Sequence, residues 1–202
     1  FWCVKAAFGS ILDLGHNPSG RFRGMKSDSW EGGHRIPFLV RWPGVIPAGS
    51  VTDALTCDLD LYATLADVAG VTLSEGDAVD SRSLMPLLRG GEPVRTSLVA
   101  QSGNGILCYI SGDWKLIAGS GSGGSLNPYG QADLLPAYDA ASGRWRNVQL
   151  YNLASDPEER YDRAALHPQR VARMMEALAR EVRRGGTAAD WQQVAWTSRF
   201  GE

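Results

Sequence analysis

Gly15-His16-Asn-Pro-Ser-Gly20-Arg-Phe-Arg23-Gly24-Met-Lys26-Ser-Asp-Ser-Trp30-Glu31-Gly32-Gly33-His34-Arg35-Ile36-Pro37-Phe-Leu-Val-Arg-Trp42-Pro43-Gly44 is the stretch on which the reading of this chain turns. Residues 15–35 are rich in Gly, Ser and Arg and follow neither the helical nor the strand period, so they predict a long loop. Long ordered loops in compact domains usually carry function. Ile36–Trp42 is a short apolar run closed by Pro43-Gly44, which predicts a buried strand and then a turn. Inside the loop, Lys26 taken by itself reads as a solvated surface lysine, although a compact ammonium on a flexible stem can also meet an anion. Gly24 lets the backbone approach closely, and Gly32-Gly33 permits a sharp turn behind it.

Working outward, the 202 residues suffice for one good core, or for one core and a small satellite. Apolar residues make up 44% and charged ones 21%, an ordinary globular balance. A net charge of −2 gives no electrostatic reason to expect nucleic acid or an anionic membrane as partner. No apolar run reaches the roughly 18 residues of a membrane span. Cys3, Cys57 and Cys108 have no metal-type spacing and read as isolated thiols.

The first segment, Phe1–Phe8, is apolar with one lysine and is compatible with a strand. Asp58–Ala69 predicts a helix with Asp58 as N-cap, an apolar face of Leu61, Leu65, Val68 and Ala69, and Gly70 after its end. Ser83–Arg89 predicts one or two helical turns. After Gly90–Thr96 the character changes. Ser97–Ala100, Ile106–Ile110 and Trp114–Ala118 predict short strands, with Ser111-Gly112-Asp113 as a tight turn, and Tyr138 and Gln149–Leu153 offer more. Pro168–Arg184 predicts an amphipathic helix with the stripe Val171, Met174, Met175, Leu178 and Val182. The expected organisation is 1–95 as part of an α/β unit and 96–202 as a small α+β subdomain, an antiparallel sheet crossed by the last helix. Gly119-Ser-Gly-Ser-Gly-Gly124 matches a dinucleotide-binding glycine pattern in letters only, because loop residues follow where a helix must open.

The block Arg23-Gly24-x-Lys26, Glu31-Gly32-Gly33-x-Arg35-x-Pro37 and Trp42-Pro43-Gly44 resembles the one that formylglycine-dependent sulfatases carry late in their catalytic domain. Gly112-Asp-Trp-Lys-Leu-Ile117, Leu150-Tyr-Asn-Leu153 and Asp156-Pro157-Glu158-Glu159 resemble later segments of the same family. With gaps, the resemblance runs from about Gly15 to about Arg184.

The resemblance implies the C-terminal part of an alkaline-phosphatase-like α/β sulfatase fold. In the family a formylglycine and calcium carry the hydrolysis of sulfate esters, and the implied substrates are sulfated small molecules or sulfated carbohydrates. Lys26 falls on the lysine that contacts the sulfate, and His16 falls where a residue lines the substrate side. Glu31, Arg35 and Arg23 are expected to hold the Lys26 loop in place. His34 occupies a variable position of the motif, and His167 caps or covers the last helix. None of the three cysteines sits in the context of the formylglycine precursor. Lys5-Ala6-Ala7-Phe8 stands where an Asp-Asn-Gly calcium triplet is expected, with no oxygen ligand. This chain by itself is therefore expected to hold no metal and to hydrolyse nothing efficiently. The family also implies a periplasmic or extracellular site of action. Two rival readings are a phosphodiesterase or phosphonate hydrolase of the same superfamily, and a non-catalytic remnant that binds sulfated glycans.

Overall fold

A computed structural model describes residues 14–74, 76–124 and 135–184. The strand expected over Phe1–Phe8, the tetrad Lys5–Phe8, and Cys3 lie outside the described residues. The elements in chain order are α1 (Glu31–His34), α2 (Asp60–Ala69), α3 (Met85–Leu88), β1 (Ser97–Gln101), β2 (Leu107–Ser111), β3 (Trp114–Ile117), β4 (Ala137–Asp139), β5 (Arg144–Arg146), β6 (Gln149–Asn152) and α4 (Pro168–Arg184).

Four of the strands form one antiparallel sheet in the order β1-β2-β3-β6. The β2–β3 hairpin closes on Gly112-Asp113, with Ser111 opposite Trp114 and Gly112 at φ +54°. Strand β3 is internal, as its run of Trp, Leu and Ile requires. The residues alternate between the two faces with the period of two that strands impose. Tyr109, Leu116 and Leu150 line one face, together with Val99, Leu107 and Trp114. Helix α4 covers this face with Val171, Met174, Met175, Leu178 and Val182, all buried. The stripe recurs every three or four residues, so one side of the helix meets the sheet while Arg173, Glu176 and Arg180 face water. The outer strands β4 and β5 form a separate hairpin.

Cys108, Ile117 and Tyr151 line the opposite face of the sheet, with Ile106 beside them. Trp30, fully buried, packs onto them. The loop singled out in the sequence is therefore the lid of the second half's sheet. Residues from both parts of the expected organisation, 1–95 and 96–202, thus share one core cluster. An indole of that size buries where the nearest apolar surface lies, and here that surface is some 80 positions or more along the chain.

Two expectations are corrected. Ile36–Trp42 forms no strand and is not buried: Leu39 is 89% and Ile36 57% exposed. A strand needs a neighbour to take its hydrogen bonds, and among the described residues no strand pairs with it. Helix α2 starts at Asp60 instead of Asp58 and buries Asp60 and Thr64, while Leu65 and Val68 are 63% and 49% exposed. The polar side wins because it is fully partnered. Asp60 takes the Cys57 and Arg82 N–H groups, each at 3.0 Å, and pairs through both oxygens with buried Arg95. Thr64 Oγ1 accepts from the Leu84 N–H at 2.8 Å. Gly70 ends the helix at φ +68°, as its position in the sequence predicts.

Candidate active site

Lys26 sits at the tip of a turn whose flanks are fastened on every side. Asp28, itself buried, receives the Met25 N–H on Oδ2 at 2.8 Å, and its own N–H donates to the Met25 carbonyl at 2.9 Å. The Ser27 carbonyl accepts from the Gly103 N–H at 2.8 Å, and the Ser29 N–H donates to the Ser122 carbonyl at 2.7 Å. Ser27 has φ +82°, a left-handed backbone that costs a non-glycine residue roughly 1 kcal/mol or more. The Lys26 side chain is exposed, and no hydrogen bond or ion pair engages it among the described residues. An unpaired ammonium on a braced turn is available to an anion.

Gly32 shows why the glycines are needed. A Cβ there would meet the Arg23 carbonyl at 2.6 Å, and its N–H already donates to that carbonyl at 2.7 Å. The glycine-serine segment 119–124, whose resemblance to a dinucleotide motif is only literal, is itself not helical. It packs against the Lys26 turn instead. Gly119 and Gly121 carbonyls accept from Gln149 Nε2 at 2.8 and 3.0 Å, and the Gly123 carbonyl accepts from the Asn104 N–H.

Behind the turn lies a buried charge cluster. Lys115 Nζ is 2.9 Å from Glu31 Oε1 and 3.0 Å from Glu159 Oε1. Glu159 Oε2 accepts the Glu31 N–H at 2.5 Å. Arg35 reaches Glu31 Oε2 at 3.3 Å from the rim. Arg23 lies 3.7 Å over the Trp30 ring and donates to Tyr151 Oη and to the Glu159 carbonyl. The expected structural parts of Glu31, Arg35 and Arg23 are thus observed. Their partners Lys115 and Glu159 were missed. The signal was present, because a lysine in the middle of the apolar strand Trp114–Ile117 must find a carboxylate to be buried. Burial works against the charge of Lys115, yet the two carboxylates outweigh it and hold its pKa above the ordinary value. Burial raises the Glu159 pKa, with Lys115 opposing.

His16 is exposed on the segment before the turn. His167 lies edge-on to Trp114 with ring centres 5.2 Å apart, a packing role at the start of α4.

Residues 24–99 match the family model described as N-sulphoglucosamine sulphohydrolase, C-terminal. The chain is 34% identical to an N-acetylgalactosamine-6-O-sulfatase of Bacteroides thetaiotaomicron, over 81% of this chain and 30% of that protein. It is 46% identical to human steryl-sulfatase over 36% of this chain and 12% of that protein. Among solved structures it is similar to a sulfatase from the glycosaminoglycan metabolism of B. thetaiotaomicron, with TM-score 0.66 and 32% identity over 86% of this chain and 34% of that one. The PsFucS1 sulfatase of Pseudoalteromonas sp. shares the fold, with TM-score 0.60 over 78% of this chain and 32% of that one. This chain belongs to the sulfatase family, in the part that the C-terminal family model describes.

Its fold is that of the alkaline-phosphatase-like sulfatases, here with the small antiparallel sheet and the helix that covers it. The chain spans 30% of the length of the bacterial relative and 12% of the human one. Formylglycine and calcium are general features of sulfatases. Among the described residues no group of three or more His, Cys, Asp or Glu is placed to hold a metal ion. Cys57 and Cys108 are free thiols, and burial pushes Cys108 up to about 11, too high for a reactive thiolate. The described residues fit neither group.

His34, on α1, is 3.8 Å from Cys108 Sγ. Burial, and then the charge of Lys115, lower its pKa from 6.5 to about 4, with Glu31 opposing. Between those values the unfolded chain binds a proton that the folded chain refuses. Stability is therefore full above pH 6.5, falls as the pH drops towards 4, and loses no more from this group below that. The shift corresponds to at most about 3 kcal/mol. Denaturant melts at pH 7 and pH 5 should differ less for His34→Gln than for the parent. Equal differences would assign the acid sensitivity to other groups.

Proposed function

We propose that the intact protein hydrolyses sulfate esters and that Lys26 binds the sulfate group in it. The observation that carries this reading is the exposed, unpaired Lys26 ammonium on a rigid turn inside the segment that matches the sulfatase family model. The ammonium would donate to sulfate oxygens in the ground state and neutralise the charge growing on the bridging oxygen as the ester breaks. His16, exposed on the same arm of the loop, would line the alcohol side of the ester. The substrate class is a sulfated carbohydrate or other sulfated small molecule. Support comes from the relatives named for a sulfated sugar and a sulfated steroid, and from a solved sulfatase in complex with glucosamine-2-N,6-O-disulfate. We also read 1–95 as the edge of the catalytic domain and 96–202 as its C-terminal subdomain. The exposed run Ile36–Val40 and the α2 face of Leu65 and Val68 would then pack against the remaining part of that domain, since apolar patches of this extent seldom face water. Action in the periplasm or outside the cell belongs to the same reading. No helix among the described residues is long and apolar enough to cross a membrane.

The test is release of inorganic sulfate by the intact protein. It should act on a chromogenic aryl sulfate, on 6-O-sulfated N-acetylgalactosamine or on a sulfated steroid, and leave a diaryl phosphate untouched. Cleavage of the phosphate diester alone would make it a phosphodiesterase, and binding of sulfated sugars without turnover would make it a binding protein. The 202-residue chain on its own should show no turnover, and a calorimetric titration should show no micromolar calcium binding. A purified chain that does either overturns the assignment of the nucleophile and metal ligands to other parts of the protein.

A further inference from the structure

We propose that Lys115 and Glu159 are positioning residues for Lys26, so that the C-terminal sheet sets the geometry of the sulfate-binding ammonium; the inference rests on the reading of Lys26 given above. Both side chains are fully buried, so neither can touch a substrate. Yet they hold both ends of the arc that carries Lys26. At the near end, the Glu159 carbonyl accepts from Arg23 at 3.1 Å while Arg23 stacks on Trp30. At the far end, the Glu159 carboxylate accepts the Glu31 N–H, and Lys115 bridges the carboxylates of Glu31 and Glu159. One residue thus clamps Arg23 through its backbone and Glu31 through its side chain. Glu159 holds this place with φ +54°, a backbone conformation that a glutamate adopts only when its surroundings compel it.

The physical need is plain. A lysine has four rotatable bonds and cannot fix its own ammonium, so the backbone beneath it must be fixed. A displacement of about 1 Å at a reacting group can cost on the order of 10²-fold in rate. An ion cluster is suited to this because it is directional and fails completely when one member is lost: a buried charge left unpaired forces its neighbours to rearrange. Apolar packing of Trp30 alone would hold the arc to the sheet but leave it free to slide.

The experiment is a double-mutant cycle in the intact sulfatase, with kcat and KM measured on an aryl sulfate. Glu159→Gln keeps shape and backbone and removes the carboxylate charge. It should lower kcat by about 10-fold or more in the parent and have little effect in the Lys26→Ala background, because its influence passes through Lys26. Amide exchange over residues 24–33 should quicken while the α4-covered sheet keeps its protection. If Glu159→Gln lowers kcat by the same factor in both backgrounds, the cluster is merely structural and the inference is overturned. If Lys26→Ala itself leaves kcat/KM intact, the reading of Lys26 fails, a result distinct from the first. Should Glu159→Gln not fold, the charge-balanced pair Lys115→Met with Glu159→Gln, which leaves Glu31 to Arg35, takes its place under the same two criteria.

Discussion

Lys26→Ala in the intact enzyme should lower kcat/KM for an aryl sulfate by a factor on the order of 10² or more, with no change in melting temperature. The size follows from the chemistry. Removing one preorganised charge contact from a transition state that gains negative charge costs about 3 kcal/mol. The unchanged stability follows from the structure. The Lys26 side chain is exposed, and no hydrogen bond or ion pair holds it among the described residues, so folding gains nothing from the ammonium. The loss should fall on kcat at least as strongly as on KM, because the contact strengthens as the ester bond breaks. A variant that loses stability and keeps kcat/KM would turn Lys26 into a scaffold residue and remove the basis of the proposed function. Lys26→Arg should recover only part of the rate, since a planar guanidinium cannot occupy the space of a compact ammonium.

The second large effect lies on the other face of the sheet. Leu178→Asp should destabilise the protein by about 4 kcal/mol or more, the loss of a buried leucine plus the desolvation of a carboxylate. Arg180→Asp, two residues away, should cost no more than about 0.5 kcal/mol. Leu178 is wholly buried in the contact of α4 with Tyr109, Leu116 and Leu150, whereas Arg180 faces water. Denaturant midpoints for the two variants measure the ratio directly. Equal shifts would show that the stripe is no core face. Leu178→Asp should also weaken the Lys26 turn at a distance. The same four strands carry α4 on one side and Trp30 on the other, so disturbing the sheet loosens both.

How much of this was readable beforehand depended on the range of the interaction. Helix α4 was legible because its stripe and its proline start are both local. The β2–β3 hairpin was legible because a two-residue turn fixes the register. Lys26 stood out by its place in the block that resembles the sulfatase motif. The spacing did not reveal that Glu31, Lys115 and Glu159 form one cluster. They stand 84 and 44 positions apart along the chain, and only the pairing of β3 with β6 and the descent of Trp30 onto that sheet bring them together. A lysine inside an apolar strand was a signal that the sequence reading did not take up, and by itself it names no partner.

The two failed expectations have a common cause. Ile36–Trp42 has the composition of a buried strand, and α2 has the apolar face of a packed helix, yet both face water. Composition reports that a segment is suited to be covered. Whether it is covered depends on what lies beside it, and among the described residues neither the run Ile36–Val40 nor the Leu65–Val68 face of α2 is covered. The sequence by itself determined the local periods, the turns and the identity of the candidate ammonium, because these depend on neighbours along the chain. The tertiary structure decided which face of each element is buried and which charges are paired. Desolvation and ion pairing are properties of contacts in space, and a buried lysine is stable only where a fold supplies its carboxylates.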